Sequence, residues 1–124
     1  MKRKVTSLLA GIVLLTPAPG AAGHEKSFKS RVTIKGDDTF TEYRGRVFSG
    51  AQGCVRHRTV ILYQKLDGPD ENLGEDKTNY DGDWWVPLPE PGAGYYAKVK
   101  RRVVTKPGHR HVCRGDRSPV DRPY

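Results

Sequence analysis

The chain has 124 residues, 35% of them hydrophobic and 29% charged, with two cysteines and a formal net charge of +8. That length leaves room for one domain and that cysteine count for one intramolecular pairing, which excludes a second domain and any choice of disulfide connectivity. Three of the 22 Lys and Arg, and none of the 14 Asp and Glu, lie in the first 23 residues, so the remainder carries a modest net +5.

Those first residues have the layout of a secretory signal peptide. Lys2, Arg3 and Lys4 form a positive start, Val5 to Leu15 an apolar run, and Thr16 to Gly23 a stretch of Pro and small residues open to a peptidase. A membrane-spanning helix needs about 20 apolar residues, and these end at Thr16 and Pro17. The expectation is cleavage of residues 1–23 and a secreted domain over 24–124, with no integral membrane segment after cleavage.

No apolar stripe with helical spacing follows. Short runs alternate with period two between clusters of Gly, Pro, Asn and Asp, which argues an all-β domain. Strands are predicted at Phe28 to Ile34, Glu42 to Phe48, Thr59 to Gln64, Gly74 to Thr78, Trp84 to Leu88, Tyr95 to Val104 and Arg117 to Val120. Reversals fall at Gly36-Asp37-Asp38, Ser49 to Gly53, Asp67 to Asp70 and Pro89 to Gly94, and Asp81-Gly82 reads as the tight turn of a hairpin. Seven short strands suit a β-sandwich.

Alternation then assigns faces. Trp84, Val86 and Leu88 point one way and Trp85 the other; Tyr95, Ala97, Val99 and Val103 point inward, leaving Tyr96, Lys98, Lys100 and Arg102 outside. If these two strands pair, Trp85 and Tyr96 share an exposed face. Cys54 and Cys113 are the obvious disulfide in an oxidising compartment.

The run Arg46-Val47-Phe48-Ser49, then Cys54, Arg58-Thr59-Val60-Ile61-Leu62-Tyr63, Thr78-Asn79 with Gly82 and Trp84, and Gly94-Tyr95-Tyr96-Ala97-Lys98-Val99 resembles the prealbumin-like, carboxypeptidase-regulatory-like β-sandwich domains. It is similar in particular to small secreted actinobacterial proteins. The resemblance covers Glu42 to Val120 and implies an Ig-like sandwich acting as an accessory module. The hydrolase branch of that fold ends in Tyr-Arg-Gly-Ser, whereas this chain ends Asp121-Arg122-Pro123-Tyr124, so a non-enzymatic protein is expected.

Other chemistry is weakly encoded. His57, His109 and His111 lie near the two cysteines, but a disulfide would consume both thiolates that a zinc site needs. His24, as a mature N-terminus, has the chemistry to chelate copper, with a solvated terminus as the plainer reading. Asn79, Asp81, Asp83 and Glu90 match ligand positions of a calcium loop, yet Trp84 stands where its sharp turn needs Gly. No Gly-x-Ser-x-Gly elbow and no phosphate-cradling Gly-rich loop occurs. No metal or cofactor is therefore expected.

Charge is segregated: Asp67 to Glu90 carries net −7 and Lys98 to Arg122 net +7. The expected ligand surface is Trp85 and Tyr96 with Lys98, Lys100 and Arg102, an aromatic and cationic face suited to carbohydrate or an anionic envelope polymer. Nucleic acid is not an expected partner outside the cell. The competing expectation is a structural protein without a specific ligand, its Lys and Arg serving only to solvate a sheet face.

Overall fold

A computed structural model describes residues 24–123, apart from the side chain of His24. The segment expected to be a signal peptide, residues 1–23, lies outside the described residues. Those described are all-β: eleven strands, one short 3-10 turn (Gln52–Cys54) and no helix long and apolar enough to cross a membrane. The strands are β1 His24–Phe28, β2 Ser30–Val32, β3 Lys35–Gly36, β4 Glu42–Ser49, β5 Thr59–Gln64 and β6 Glu71–Lys77. They continue as β7 Asp83–Pro87, β8 Tyr95–Val99, β9 Arg102–Lys106, β10 His109–Cys113 and β11 Asp116–Arg117.

They form three sheets. One runs β11-β8-β5-β6; in a second, β4 is flanked by β7 on one side and by β2 and β3 on the other; the third runs β1-β10-β9, with β1 parallel to β10. Alternation puts Tyr43 and Val47 of β4 and Trp84 and Val86 of β7 opposite Val60 and Leu62 of β5 and Tyr95, Ala97 and Val99 of β8, in one buried core. Trp84 is fully buried and its indole N–H donates to the Thr33 carbonyl at 3.2 Å, which satisfies its polar end inside the core.

The predicted strand count is corrected from seven to eleven, and the third sheet is unforeseen. Phe28 to Ile34 divides because the chain changes sheets at Lys29: β1 lies beside β10, whereas β2 lies beside β4. Tyr95 to Val104 divides at Lys100-Arg101 for the same reason, β8 pairing with β5 and β9 with β10. Gly74 to Thr78 extends back to Glu71, past a register shift that leaves Leu73 packed against the core. The strand expected over Arg117 to Val120 is β11 followed by Ser118, whose N–H donates to Ala97.

Asp81-Gly82 is a tight turn but not a hairpin. The Asn79 carboxamide oxygen accepts from the Asp81 and Asp83 amides, and Gly82 takes φ +91°. The strands either side then enter different sheets, β6 pairing with β5 and β7 with β4. The Trp85 amide that a hairpin ladder would use donates instead to Asp76 Oδ2 at 2.9 Å. One further close approach needs glycine: a Cβ on Gly45 would stand 1.9 Å from the Thr33 carbonyl oxygen, where β2 gives way to β3.

Candidate functional site

Cys54 and Cys113 are bonded, with their Cα atoms 5.2 Å apart, tying the 3-10 turn to β10. Both thiolates are thereby withdrawn from metal ligation. Beside the bridge lies Arg58, 0% exposed. Its Nη1 donates to Ser30 Oγ and the Cys54 carbonyl, and its Nη2 to the carbonyls of Lys100 and Arg114. One guanidinium thus joins β2, the 3-10 turn, the β8–β9 corner and the segment after β10. Its partners are neutral, so burial, with the Arg102 charge adding in the same direction, lowers its pKa to about 10.

Arg58 fixes the corner at which Lys100 and Arg101 turn outward. Lys100 keeps one ladder bond, donating its N–H to the Thr59 carbonyl at 2.9 Å. Around this corner opens a cleft of about 470 Å³ lined by His57, Thr59, Lys77, Lys100, Arg101 and Arg102, with no carboxylate among its lining residues. Arg102 is held in place, its Nη1 donating to the carbonyls of Arg56 and His57, and Lys77 Nζ donates to Thr59 Oγ1 at 3.2 Å. Four full cations meet in one concavity, which focuses a positive field on whatever enters it.

The structure brings together only part of the predicted set. Lys100 and Arg102 line the cleft, and Lys98 is exposed two residues earlier on the same strand face. Tyr96 is not an exposed platform: it is 5% exposed, stacked on Tyr63 with ring centroids 5.3 Å apart and covered by the Arg117 guanidinium 4.0 Å from its ring. Its hydroxyl donates to Asp70 at 2.6 Å. Burial, then that bond, raises the Tyr96 pKa, while the same bond leads the causes that lower that of Asp70. Cross-strand packing overrides the alternation that put Tyr96 in solvent.

Trp85 is 50% exposed, as expected, but lies on the outer face of the β4–β7 sheet, away from Tyr96. There it walls an open groove of about 770 Å³ shared with Arg44, Arg46, Phe48, Asp76, Asp83 and Lys77. Asp83 accepts from Arg46 Nε at 2.8 Å, and that bond holds its carboxyl below the usual range. The Trp85 indole, then Arg44, does the same to Glu42. Phe48, 40% exposed, carries the Arg31 guanidinium 4.4 Å from its ring.

Lys77, Phe48, Arg44 and Arg46 are site residues that sequence reasoning missed, Arg101 belongs to the basic run that it singled out, and His57, weighed there only as a metal ligand, lines the cleft instead. Lys77 is the lone base within the acidic stretch, and that isolation was a usable signal; its pairing with Thr59 is tertiary information. No protein-family profile, curated protein or solved structure matches the chain. What the molecule is rests on its own geometry: an all-β, disulfide-bridged domain with a cationic cleft and an aromatic groove on adjoining faces.

Proposed function

We propose that the mature domain is a secreted, non-enzymatic binding module for an anionic polymer of the cell envelope, engaged through the cleft at the β8–β9 corner. The observation that carries this reading is the convergence of Lys77, Lys100, Arg101 and Arg102 on one concave site without a lining carboxylate. Such a site favours sulfate, phosphate or carboxylate groups over neutral ligands, with an attraction that added salt screens over a Debye length of about 10 Å at 0.1 M. Export is supported by the N-terminal segment and by the formed disulfide.

The test is retention on envelope extract at low ionic strength. A Lys77→Ala/Lys100→Ala/Arg101→Ala variant should fold and lose about tenfold or more in affinity, three exposed charge contacts being worth up to about 1 kcal/mol each. Arg102 is left intact because its guanidinium also braces the Arg56-His57 segment that leads into β5. Retention equal to that of the parent would transfer the case to a structural protein without a specific ligand.

A further inference from the structure

The cleft and the groove are joined. Lys77 lines both, and the connection can be followed bond by bond. The Trp85 amide donates to Asp76 Oδ2 at 2.9 Å; Asp76 precedes Lys77; Lys77 Nζ donates to Thr59 Oγ1 at 3.2 Å; and the Thr59 carbonyl accepts from the Lys100 amide at 2.9 Å. The path runs across β7, β6 and β5 to the residue just past β8, with Thr59 opposite Lys77 in register and bonded through its carbonyl to the Lys100 amide. Two strand spacings put Lys77 and Lys100 about 10 Å apart. This is a track around the side of the molecule, with a half-exposed indole at one end and a carboxylate-free cationic pocket at the other.

The chemistry differs along it. At the groove end carboxylates stand among the cations: Asp83 pairs with Arg46 and Glu42 with Arg44, Lys35 adds a further cation, and both Asp76 oxygens accept backbone amides, from Lys77 and Trp85. What this end offers is a flat apolar ring flanked by polar groups, which suits the apolar face and hydroxyls of a sugar ring. The far end offers cations and excludes acids. We infer that a polysaccharide whose sugars carry anionic substituents occupies the track, one sugar stacking on Trp85 while its neighbours place their charged groups against Lys77, Lys100 and Arg101. The inference rests on the anion-binding reading of the cleft and adds to it the identity of the polymer's backbone.

Three probes separate the two claims on the full mature chain: dextran sulfate, with sugar and charge; polyphosphate, with charge alone; and unsubstituted dextran. The parent should bind dextran sulfate more tightly than polyphosphate and dextran least, and dextran sulfate alone should shift Trp emission to shorter wavelength as Trp85 leaves water. Trp85→Ala should weaken dextran sulfate about fivefold and leave polyphosphate unchanged, with Trp85→Phe restoring part of the loss. Lys100→Ala/Arg101→Ala should weaken both charged probes. If Trp85→Ala binds dextran sulfate as the parent does while the double variant does not, the cleft stands and the track is overturned. If the double variant binds both charged probes as the parent does, the cleft and the track fall together.

Discussion

Arg58 shows how far one side chain can reach. It spends four donors on three carbonyls and a hydroxyl drawn from four segments, leaving Nε without a partner. A lysine places its donors on one nitrogen and cannot span that fork, so Arg58→Lys should lose about 3 kcal/mol by urea denaturation through carbonyls left unsatisfied in the interior. A loss below about 1 kcal/mol would show that water replaces the guanidinium. Asp37 is a second local device: it accepts from the hydroxyls of Thr39 and Thr41 and from the amides of Thr41 and Glu42, and the Thr39 bond leads the causes that bring its pKa to about 2. A carboxyl whose pKa is depressed by folding contributes its stabilisation fully above its unfolded pKa and loses it as pH falls through the folded value. The stability gap between the parent and Asp37→Asn should therefore hold at pH 6 and close between about pH 4 and 2. A gap that stays constant over that window would remove the carboxylate from the account.

At the scale of the strand, adjacent tryptophans on β7 serve opposite faces. Trp84→Ala should cost about 3 to 5 kcal/mol by opening a cavity in the core, and Trp85→Ala less than about 1 kcal/mol. Equal losses in denaturant melts would mean that the two rings share one environment. This alternation was legible in the sequence, as were the period of β4, the cysteine pairing and the reversal at Asp81-Gly82, though not that its two strands enter different sheets. The breaks were less so. Lys29 continues an outward-facing pattern without interruption, and only Arg101, a cation at a position where alternation calls for an inward residue, marks locally that the strand there leaves one sheet for another. The residue that holds the second break, Arg58, is of a type that composition places on the surface. Tyr96 was misread for a related reason: its partners Tyr63, Asp70 and Arg117 come from three separate segments, and only the assembled sheet brings them over its ring. Of the candidate site, the sequence showed the cations of one strand, while Lys77 and Thr59, which complete the cleft, arrive through the pairing of β5 with β6.

For the whole molecule, the charge segregation of the linear chain does not survive folding intact. Lys77, from the acidic stretch, joins the basic cleft, while Asp70 lies among Lys65, Arg117 and the Tyr96 hydroxyl. The disulfide ties the segment before β5 to the third sheet, and closing a loop of 59 residues is worth about 4 kcal/mol in the chain-entropy model. Cys113→Ser should lose about 2 to 5 kcal/mol, with amide hydrogen exchange accelerating most in β9 and β10. Uniform acceleration would mean that the three sheets open as a single unit. The parallel pairing of β1 with β10 also dictates an order of events during synthesis. Residues 24–28 leave the ribosome before the rest of the domain, and their partners, residues 109–113, follow only after β2 to β9. Until then β1 is a bare edge, and β9 lacks the same neighbour. The third sheet therefore completes only after β2 to β9 have been delivered, so β1 waits without its partner while the strands of the main core are already at hand.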